Sequence, residues 1–208
     1  NMAQEHNLDT DIYQNLESAL SQTEANLVFD VTPPEAHHDT VITALEAGYN
    51  VLGEKPMASS MEEAKEMVET ATKTNKSYAI MQNRRYLKNI RAYRELIKNE
   101  LIGPPGFICA DFFIGAHFDG FRTTMESPLI LDMAIHTFDQ ARFIVDADPV
   151  SVYCHEFNPT GSWYEGDAAA VCTYEFSNGS VFSYRGSWCA EGAQTSWESS
   201  WRITGSKG

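Results

Sequence analysis

A carboxylate and a cation follow directly on a short apolar segment in the first half of the chain. Residues 49–53 have the composition of a buried strand, and Glu54 and Lys55 come immediately after them. A lysine at such a position can stabilise the negative charge that develops when a substrate hydroxyl loses its proton. The alternative is a solvated surface lysine, which is the usual state of this residue type.

A second polar group lies in the second half, within the apolar-rich segment 129–145. Asp132, His136 and Asp139 stand at i, i+4 and i+7, which places them on one face of a helix. Histidine titrates near neutral pH and suits the removal of a hydroxyl proton. A structural Asp–His pair is the alternative, and a metal site would need a third ligand that the nearby sequence does not offer. With Lys55, the pattern predicts a cation, a base and an orienting carboxylate in a cleft between two domains.

The elements before residue 86 alternate between strand-like and helix-like patterns. This alternation predicts an α/β fold with a parallel sheet. Ligands of such sheets bind beyond the carboxyl ends of the strands, which is where Lys55 falls. The predicted strands are 26–32, 49–53 and 77–81, and the predicted helices are 34–48 and 59–75.

The pattern changes after the Gly-Pro-Pro-Gly break at 103–106. Short strands then dominate, with an Asn-Gly hairpin turn at 177–180 and one strong helix at 129–145. We therefore predict an α+β domain with a large, mainly antiparallel open sheet over 87–208, after an α/β domain over 1–86. The predicted strands are 107–114, 151–157, 168–176, 181–188 and 201–204.

Charge and cysteine usage limit the classes of partner. The net charge of the 208 residues is -14, which argues against a nucleic-acid or anionic membrane partner. The apolar runs are shorter than the roughly 20 residues that cross a bilayer. The four cysteines form no Cys-x-x-Cys pair, so we expect reduced thiols in a cytoplasmic protein and no zinc site.

Four segments carry a resemblance to a known family. They are 32–37 (Thr-Pro-Pro-Glu-Ala-His), 47–56 (ending in Gly-Glu-Lys-Pro), 131–139 (Leu-Asp-Met-Ala-Ile-His-Thr-Phe-Asp) and 201–208. Together they resemble the glucose–fructose oxidoreductase/inositol dehydrogenase (Gfo/Idh/MocA) family. The resemblance implies a Rossmann domain followed by an α/β domain with a large open sheet. It also implies an oxidoreductase that uses NAD or NADP and acts on a sugar, an inositol or a related polyol.

The resemblance also implies roles for individual residues. Lys55 would hold the reacting hydroxyl, His136 would accept its proton, and Asp132 would orient substrate and base. Arg85 is a weaker cofactor or substrate contact, with a surface salt bridge as the alternative. The nicotinamide end would be lined by Thr32, Pro33, His37, Glu54 and Lys55. No metal ligand set is implied.

The chain departs from the family at both ends. It has no Gly-x-Gly-x-x-Gly segment, and the family places that fingerprint, with the acidic residue that binds the ribose, before the residues that match here. Residues 201–208 resemble the first arm of a hairpin. We therefore expect a fragment of a longer polypeptide, with unpaired sheet edges. The choice between NAD and NADP stays open.

Two other functions and one assembly remain to be weighed. The missing fingerprint would also suit a non-catalytic binding or regulatory protein of the same fold, and some relatives are hydrolases that use bound NAD⁺ to cleave glycosides. Family members associate through the sheet of the second domain, so the resemblance implies a homo-dimer or homo-tetramer. Trp188, Trp197 and Trp201 could form a sugar-stacking wall, but aromatic residues on a sheet more often belong to a core or an interface.

Overall fold

The computed structural model describes residues 2–208. The chain forms two compact units, which divide between Met81 and Gln82. The predicted division at residues 86 and 87 stays a prediction. No helix among the described residues is long and apolar enough to cross a membrane.

The first unit is built on a parallel sheet, as the β/α alternation predicts. Its strands lie in the order β1-β2-β3, and both strand pairs are parallel. A 3-10 turn at Pro34–Ala36 leads into the first long helix. The elements are α1 (Met2–Glu5), α2 (Leu16–Gln22), β1 (Leu27–Asp30), α3 (His37–Glu46), β2 (Asn50–Gly53), α4 (Met61–Thr74) and β3 (Tyr78–Ile80).

Local sequence signals set the bounds of α4. Ser60 Oγ accepts a hydrogen bond from the Glu63 amide at 3.2 Å, which satisfies one of the free donors of the first turn. The helix ends at Asn75, whose φ of 54° is the left-handed conformation that asparagine tolerates. The core of this unit, to which α3 and α4 both contribute, consists of Val41, Ala44, Leu45, Val51, Met67 and Ala71.

The outer strand β1 and the residue that follows it carry apolar side chains that the described residues leave exposed. Leu27, Phe29 and Val31 are 38%, 59% and 70% exposed, although all three are residue types that proteins usually bury. β1 is also an edge strand of the three-stranded sheet, so one row of its backbone groups has no partner strand among the described residues.

The second unit contains a five-stranded sheet in the order β5-β6-β7-β4-β8. The pairing is antiparallel except between β4 and β7, so the sheet is mainly antiparallel, as predicted. The elements are α5 (Lys88–Lys98), β4 (Pro105–Phe113), α6 (Ile135–Val145), β5 (Pro149–Phe157), β6 (Ala169–Phe176), β7 (Val181–Ser187) and β8 (Ser200–Gly205), with 3-10 turns at Asn83–Tyr86 and Gly120–Thr123.

One face of this sheet packs against α6, with the Phe138 ring 5.1 Å from the rings of Tyr174 and Tyr184. The residues at alternate strand positions point to the other face, which we call the open face. Trp188 belongs to the core at 1% exposure and Trp201 stacks on Phe182, whereas Trp197 is 39% exposed. The core face is formed by Ile108, Ala110, Phe112, Ala170, Cys172, Phe182 and Tyr184.

The helix predicted at 129–145 has two parts. Its first six residues, Leu129–Ala134, are π-helical, and the α-helix α6 follows without a break. Hydrophobic spacing alone does not distinguish a π-turn from an α-turn, so the π-helical geometry was not predicted.

Candidate functional site

In the first unit, the candidate residues at the end of β1 are organised by Asp30. Its carboxylate accepts hydrogen bonds from the Thr32 amide at 3.1 Å and from Thr32 Oγ1 at 2.6 Å. Its other oxygen lies 2.7 Å from His37 Nδ1 in the first turn of α3. Asp30 and His37 are each 1% exposed. This buried network fixes the loop that carries Thr32 and Pro33.

His37 lies beneath the loop that follows β1. The imidazole is almost fully enclosed, and one ring nitrogen is held by Asp30. The assignment of His37 to the nicotinamide end stays a prediction. Thr32 is half-buried and Pro33 is exposed, so the loop itself offers the accessible atoms.

The strand β2 ends in the second group of candidates. The Glu54 amide donates to the Asp30 carbonyl at 2.9 Å, which ties the end of β2 to the end of β1. Glu54 Oε2 accepts a hydrogen bond from the Lys55 amide at 3.2 Å, and the Lys55–Pro56 peptide bond is cis. Glu54 and Lys55 are both half-buried. The two strand ends are therefore neighbours at the carboxyl edge of the parallel sheet, as predicted.

Burial next to Asp30 also affects Tyr78 on β3. Desolvation raises the pKa of the Tyr78 hydroxyl, and the negative charge of Asp30 raises it further. Both effects disfavour the phenolate form. Tyr78 therefore stays neutral beside the carboxylate.

In the second unit, Asp132 and His136 lie one turn apart on the helix that opens with the π-turn. Asp132 is 7% exposed and His136 is 6% exposed. Asp132 belongs to the π-helical part, and His136 is the second residue of α6. The structure thus brings together the two residues that the Asp-x-x-x-His spacing singles out, in surroundings where a carboxylate needs a partner.

Arg122 provides a partner that the sequence reading missed. Its Nε donates to Asp132 Oδ2 at 2.6 Å, and its Nη2 lies 3.5 Å from Oδ1. The guanidinium also lies over the rings of Phe118 and Phe121, at 5.3 and 4.6 Å from their centroids. This two-point contact neutralises the carboxylate and fixes its orientation.

Two aromatic side chains hold the loop that carries Arg122. Trp163 Nε1 and the Tyr164 hydroxyl both donate to the Ala116 carbonyl, at 3.0 and 2.6 Å. The Trp163 ring stacks on His117 with a centroid distance of 3.7 Å. Burial raises the pKa of the Tyr164 hydroxyl, so the phenol keeps the proton that it donates.

Arg85 forms the ion pair that the sequence reading weighed as the alternative to a ligand contact. It binds Asp139 through two nitrogens, with Nε to Oδ2 at 2.9 Å and a second bond from Nη2 to Oδ1. The hydrogen bond to Asp139 raises the pKa of Arg85. Asp139, the third polar residue on the predicted helix face, therefore pairs with Arg85, whereas Asp132 pairs with Arg122. Within residues 2–208 no group of three His, Cys, Asp or Glu residues is arranged to hold a metal ion.

Comparisons with known proteins identify the family. Residues 2–82 match the model of the oxidoreductase family with an NAD-binding Rossmann fold, and residues 90–208 match the GFO/IDH/MocA C-terminal domain. The chain belongs to the Gfo/Idh/MocA family of oxidoreductases, whose Rossmann domain binds a nicotinamide dinucleotide.

Named relatives include two sugar or inositol dehydrogenases. The D-glucoside 3-dehydrogenase of Escherichia coli is 26% identical, over 82% of this chain and 54% of its own length. The inositol 2-dehydrogenase/D-chiro-inositol 3-dehydrogenase of Lacticaseibacillus casei is 30% identical, over 70% of this chain and 41% of its own length. The chain thus spans about half the length of these curated relatives.

A solved structure has the same fold at lower sequence identity. The oxidoreductase of Agrobacterium radiobacter, crystallised with NAD⁺, L-tartaric acid and magnesium, superposes with a TM-score of 0.88 at 23% identity. The match covers 98% of this chain and 60% of that one. The predicted fold class, a Rossmann-type parallel sheet followed by a mainly antiparallel sheet, is confirmed.

Proposed function

We propose that the polypeptide to which this chain belongs is an NAD(P)-dependent dehydrogenase that oxidises a secondary hydroxyl of a sugar, an inositol or a related polyol. The observation that carries the proposal is the buried pair Asp132 and His136, one turn apart, with Asp132 held by Arg122. A proton acceptor next to an oriented carboxylate is what alcohol oxidation requires of a protein.

The residues divide the chemistry between them. His136 in its neutral form takes the hydroxyl proton, and the ammonium of Lys55 stabilises the alkoxide charge that develops. Asp132, fixed by Arg122, orients the substrate and the imidazole. Bound NAD⁺ or NADP⁺ would supply the acceptor for the hydride that leaves the carbon bearing this hydroxyl.

The first unit contains residues that fit the nicotinamide end of the cofactor. Thr32, Pro33 and Glu54 follow strands whose carboxyl ends are neighbours, where dinucleotides bind in open α/β sheets. Asp30 and His37 lie in the buried network that fixes the Thr32–Pro33 loop, and so support the nicotinamide end indirectly. Arg85 stays a weaker candidate, because Asp139 occupies its guanidinium.

The relatives support the substrate class. Two of them are named as dehydrogenases of a glucoside and of inositols, which are ring polyols with several secondary hydroxyls. We extend that class to this protein and leave the choice between NAD and NADP to measurement. A cytoplasmic location and a homo-oligomer complete the proposal. The oligomer is proposed because the open face carries four apolar side chains that are between 39% and 69% exposed: Phe107, Tyr153, Phe157 and Val171.

The test uses the longer parent polypeptide and a panel of inositols, aldoses and glucosides with NAD⁺ or NADP⁺. We expect reduced cofactor to form with at least one panel member and His136→Ala to lower kcat by about 10²–10⁴-fold, the usual contribution of a general base. NADH affinity, measured by calorimetry, should not change in this variant.

The matched control is His6→Ala, because His6 is exposed and lies outside the site. It should keep both turnover and NADH affinity. Turnover that is unchanged in His136→Ala would refute the role of His136, and a panel without any cofactor reduction would refute the substrate class.

A further inference from the structure

Two cysteines face each other across the pair of strands at one edge of the second sheet. Cys154 on β5 is directly opposite Cys172 on β6 in the antiparallel register. Their Sγ atoms are 3.3 Å apart, and the Cys172 thiol donates a hydrogen bond to Cys154 Sγ. Neither residue belongs to the site described above.

We propose that Cys154 and Cys172 form a thiol–disulfide exchange site, which reacts with low-molecular-weight disulfides such as oxidised glutathione. The backbone geometry permits the bond. Directly opposed residues of an antiparallel pair have Cα atoms about 4.5–5.5 Å apart, within the roughly 4.4–6.8 Å that a disulfide spans. Only the two sulfurs must approach each other, without movement of the strands.

The environments of the two thiols assign their order of reaction. Cys154 is exposed on the edge strand, so a small disulfide can reach it. Cys172 is fully buried, and burial raises the pKa of its thiol, as does its hydrogen bond to Cys154. Cys154 is therefore the attacking thiol and Cys172 the resolving one.

The exchange balances in two steps. The Cys154 thiolate attacks one sulfur of oxidised glutathione, which forms a mixed disulfide and releases one glutathione thiolate. Cys172 then loses its proton to solvent and attacks Cys154 Sγ, which releases the second glutathione thiolate. The protein is oxidised by two electrons, and one glutathione disulfide is reduced to two thiols.

The other two cysteines supply an internal control. Cys109 on β4 faces Ser183 on β7 and Arg202 on β8, so its register partners carry no thiol. Cys189 is paired in an isolated bridge with Gly115. Neither has an opposed sulfur that could resolve a mixed disulfide with glutathione.

The experiment treats the reduced protein with oxidised glutathione, quenches with acid, and measures intact mass and linked peptides. We expect the wild type to lose two hydrogens through a Cys154–Cys172 link that dithiothreitol reverses. Cys172→Ser should stop at one glutathione retained on Cys154, and Cys154→Ser should leave Cys172 unmodified. In the oxidised wild type, hydrogen exchange of the β5 amides should become slower, because β5 is then covalently tied to β6.

The wild-type result alone decides the proposal, so a variant that folds poorly does not remove the test. A stable glutathione adduct on Cys154 without the link, a link through Cys109 or Cys189, or no change in mass would each overturn it. The inference rests on the strand register and sulfur distance, and it is independent of the dehydrogenase assignment.

Discussion

At the scale of single residues, Arg122 provides a charged partner for the carboxylate of Asp132 in its buried position. The side chain of Asp132 is 9% exposed and that of Arg122 is 30% exposed, so the pair is only partly open to solvent. A carboxylate in such surroundings is costly without a cation, because desolvation disfavours its charged form. Arg122 therefore acts on the site through Asp132.

The prediction is that Arg122→Gln destabilises the fold by about 1–3 kcal/mol, since it removes a charged donor from a buried carboxylate. Urea unfolding of the polypeptide measures the change. Asp132→Asn added to Arg122→Gln should recover part of the loss, because the second change removes the buried charge.

A surface pair with the same chemistry provides the control for Arg122. Arg142 binds Asp148 Oδ1 through two nitrogens, with Nε at 2.9 Å, but the two side chains are 59% and 72% exposed. Arg142→Gln should cost no more than about 1 kcal/mol, as exposed ion pairs do. Equal losses in the two variants would show that burial of Asp132 does not set the energy of its pair.

The candidate site was partly readable from residue types. The Asp-x-x-x-His spacing correctly predicted that Asp132 and His136 share one stretch of helix. The contact between Arg122 and Asp132 was not predicted, because Arg122 lies in a 3-10 turn and no periodicity links that turn to a helical residue ten positions later. The role of Asp30 was also not predicted, because Asp30 was counted as one more residue of an apolar strand. An acid within such a strand, followed by a histidine seven residues later, is a signal that a search for paired polar groups would find.

At the scale of elements, the start of the helix that carries Asp132 and His136 is fixed by a close crossing of two loops. The Glu165 amide donates to the Thr123 carbonyl at 3.0 Å and the Asp167 amide to the Glu126 carbonyl at 2.8 Å. Gly166 lies between these bonds, where a Cβ atom would be 2.1 Å from the Met125 carbonyl oxygen. The crossing therefore requires glycine.

We predict that Gly166→Ala destabilises the fold by about 1–3 kcal/mol through overpacking. The displaced loop leads into Leu129–Ala134, so amides of that π-turn should also exchange faster with solvent. Thermal unfolding and hydrogen exchange measure the two effects. Gly106→Ala is the control: the only neighbour of its Cβ is the Thr204 carbonyl oxygen at 3.9 Å, so its stability should change by less than about 0.5 kcal/mol. A silent Gly166→Ala would mean that the crossing is pliable.

Periodicity predicted the elements better than their pairing. The parallel β1-β2-β3 sheet follows from β/α alternation, and an Asn-Gly turn predicted the β6–β7 hairpin. The parallel contact between β4 and β7 joins segments about seventy residues apart, and no local pattern encodes it. The π-turn was also missed, because its apolar residues satisfy helical spacing in either geometry.

At the scale of the whole molecule, the open face of the second sheet is too apolar for a surface that only meets water. Tyr153, Phe107, Phe157 and Val171 are 69%, 47%, 40% and 39% exposed. Strand register places them on the same side of the sheet, on β5, β6 and β4, and the Arg185–Asp111 pair lies between them on β7 and β4. Apolar patches of this kind mark interaction surfaces, and a second copy of the chain is the occupant we propose.

The prediction is that Tyr153→Glu lowers the oligomeric state, because a charge buried in a symmetric interface occurs twice and has no partner. Val152→Glu is the matched control: Val152 is the adjacent residue, is 57% exposed, and points to the opposite face of the same strand. Light scattering after size exclusion should give the same mass for wild type and Val152→Glu, and a smaller mass for Tyr153→Glu. If both variants dissociate, the edge of β5 and not the open face forms the contact; if neither does, the apolar open face has another purpose.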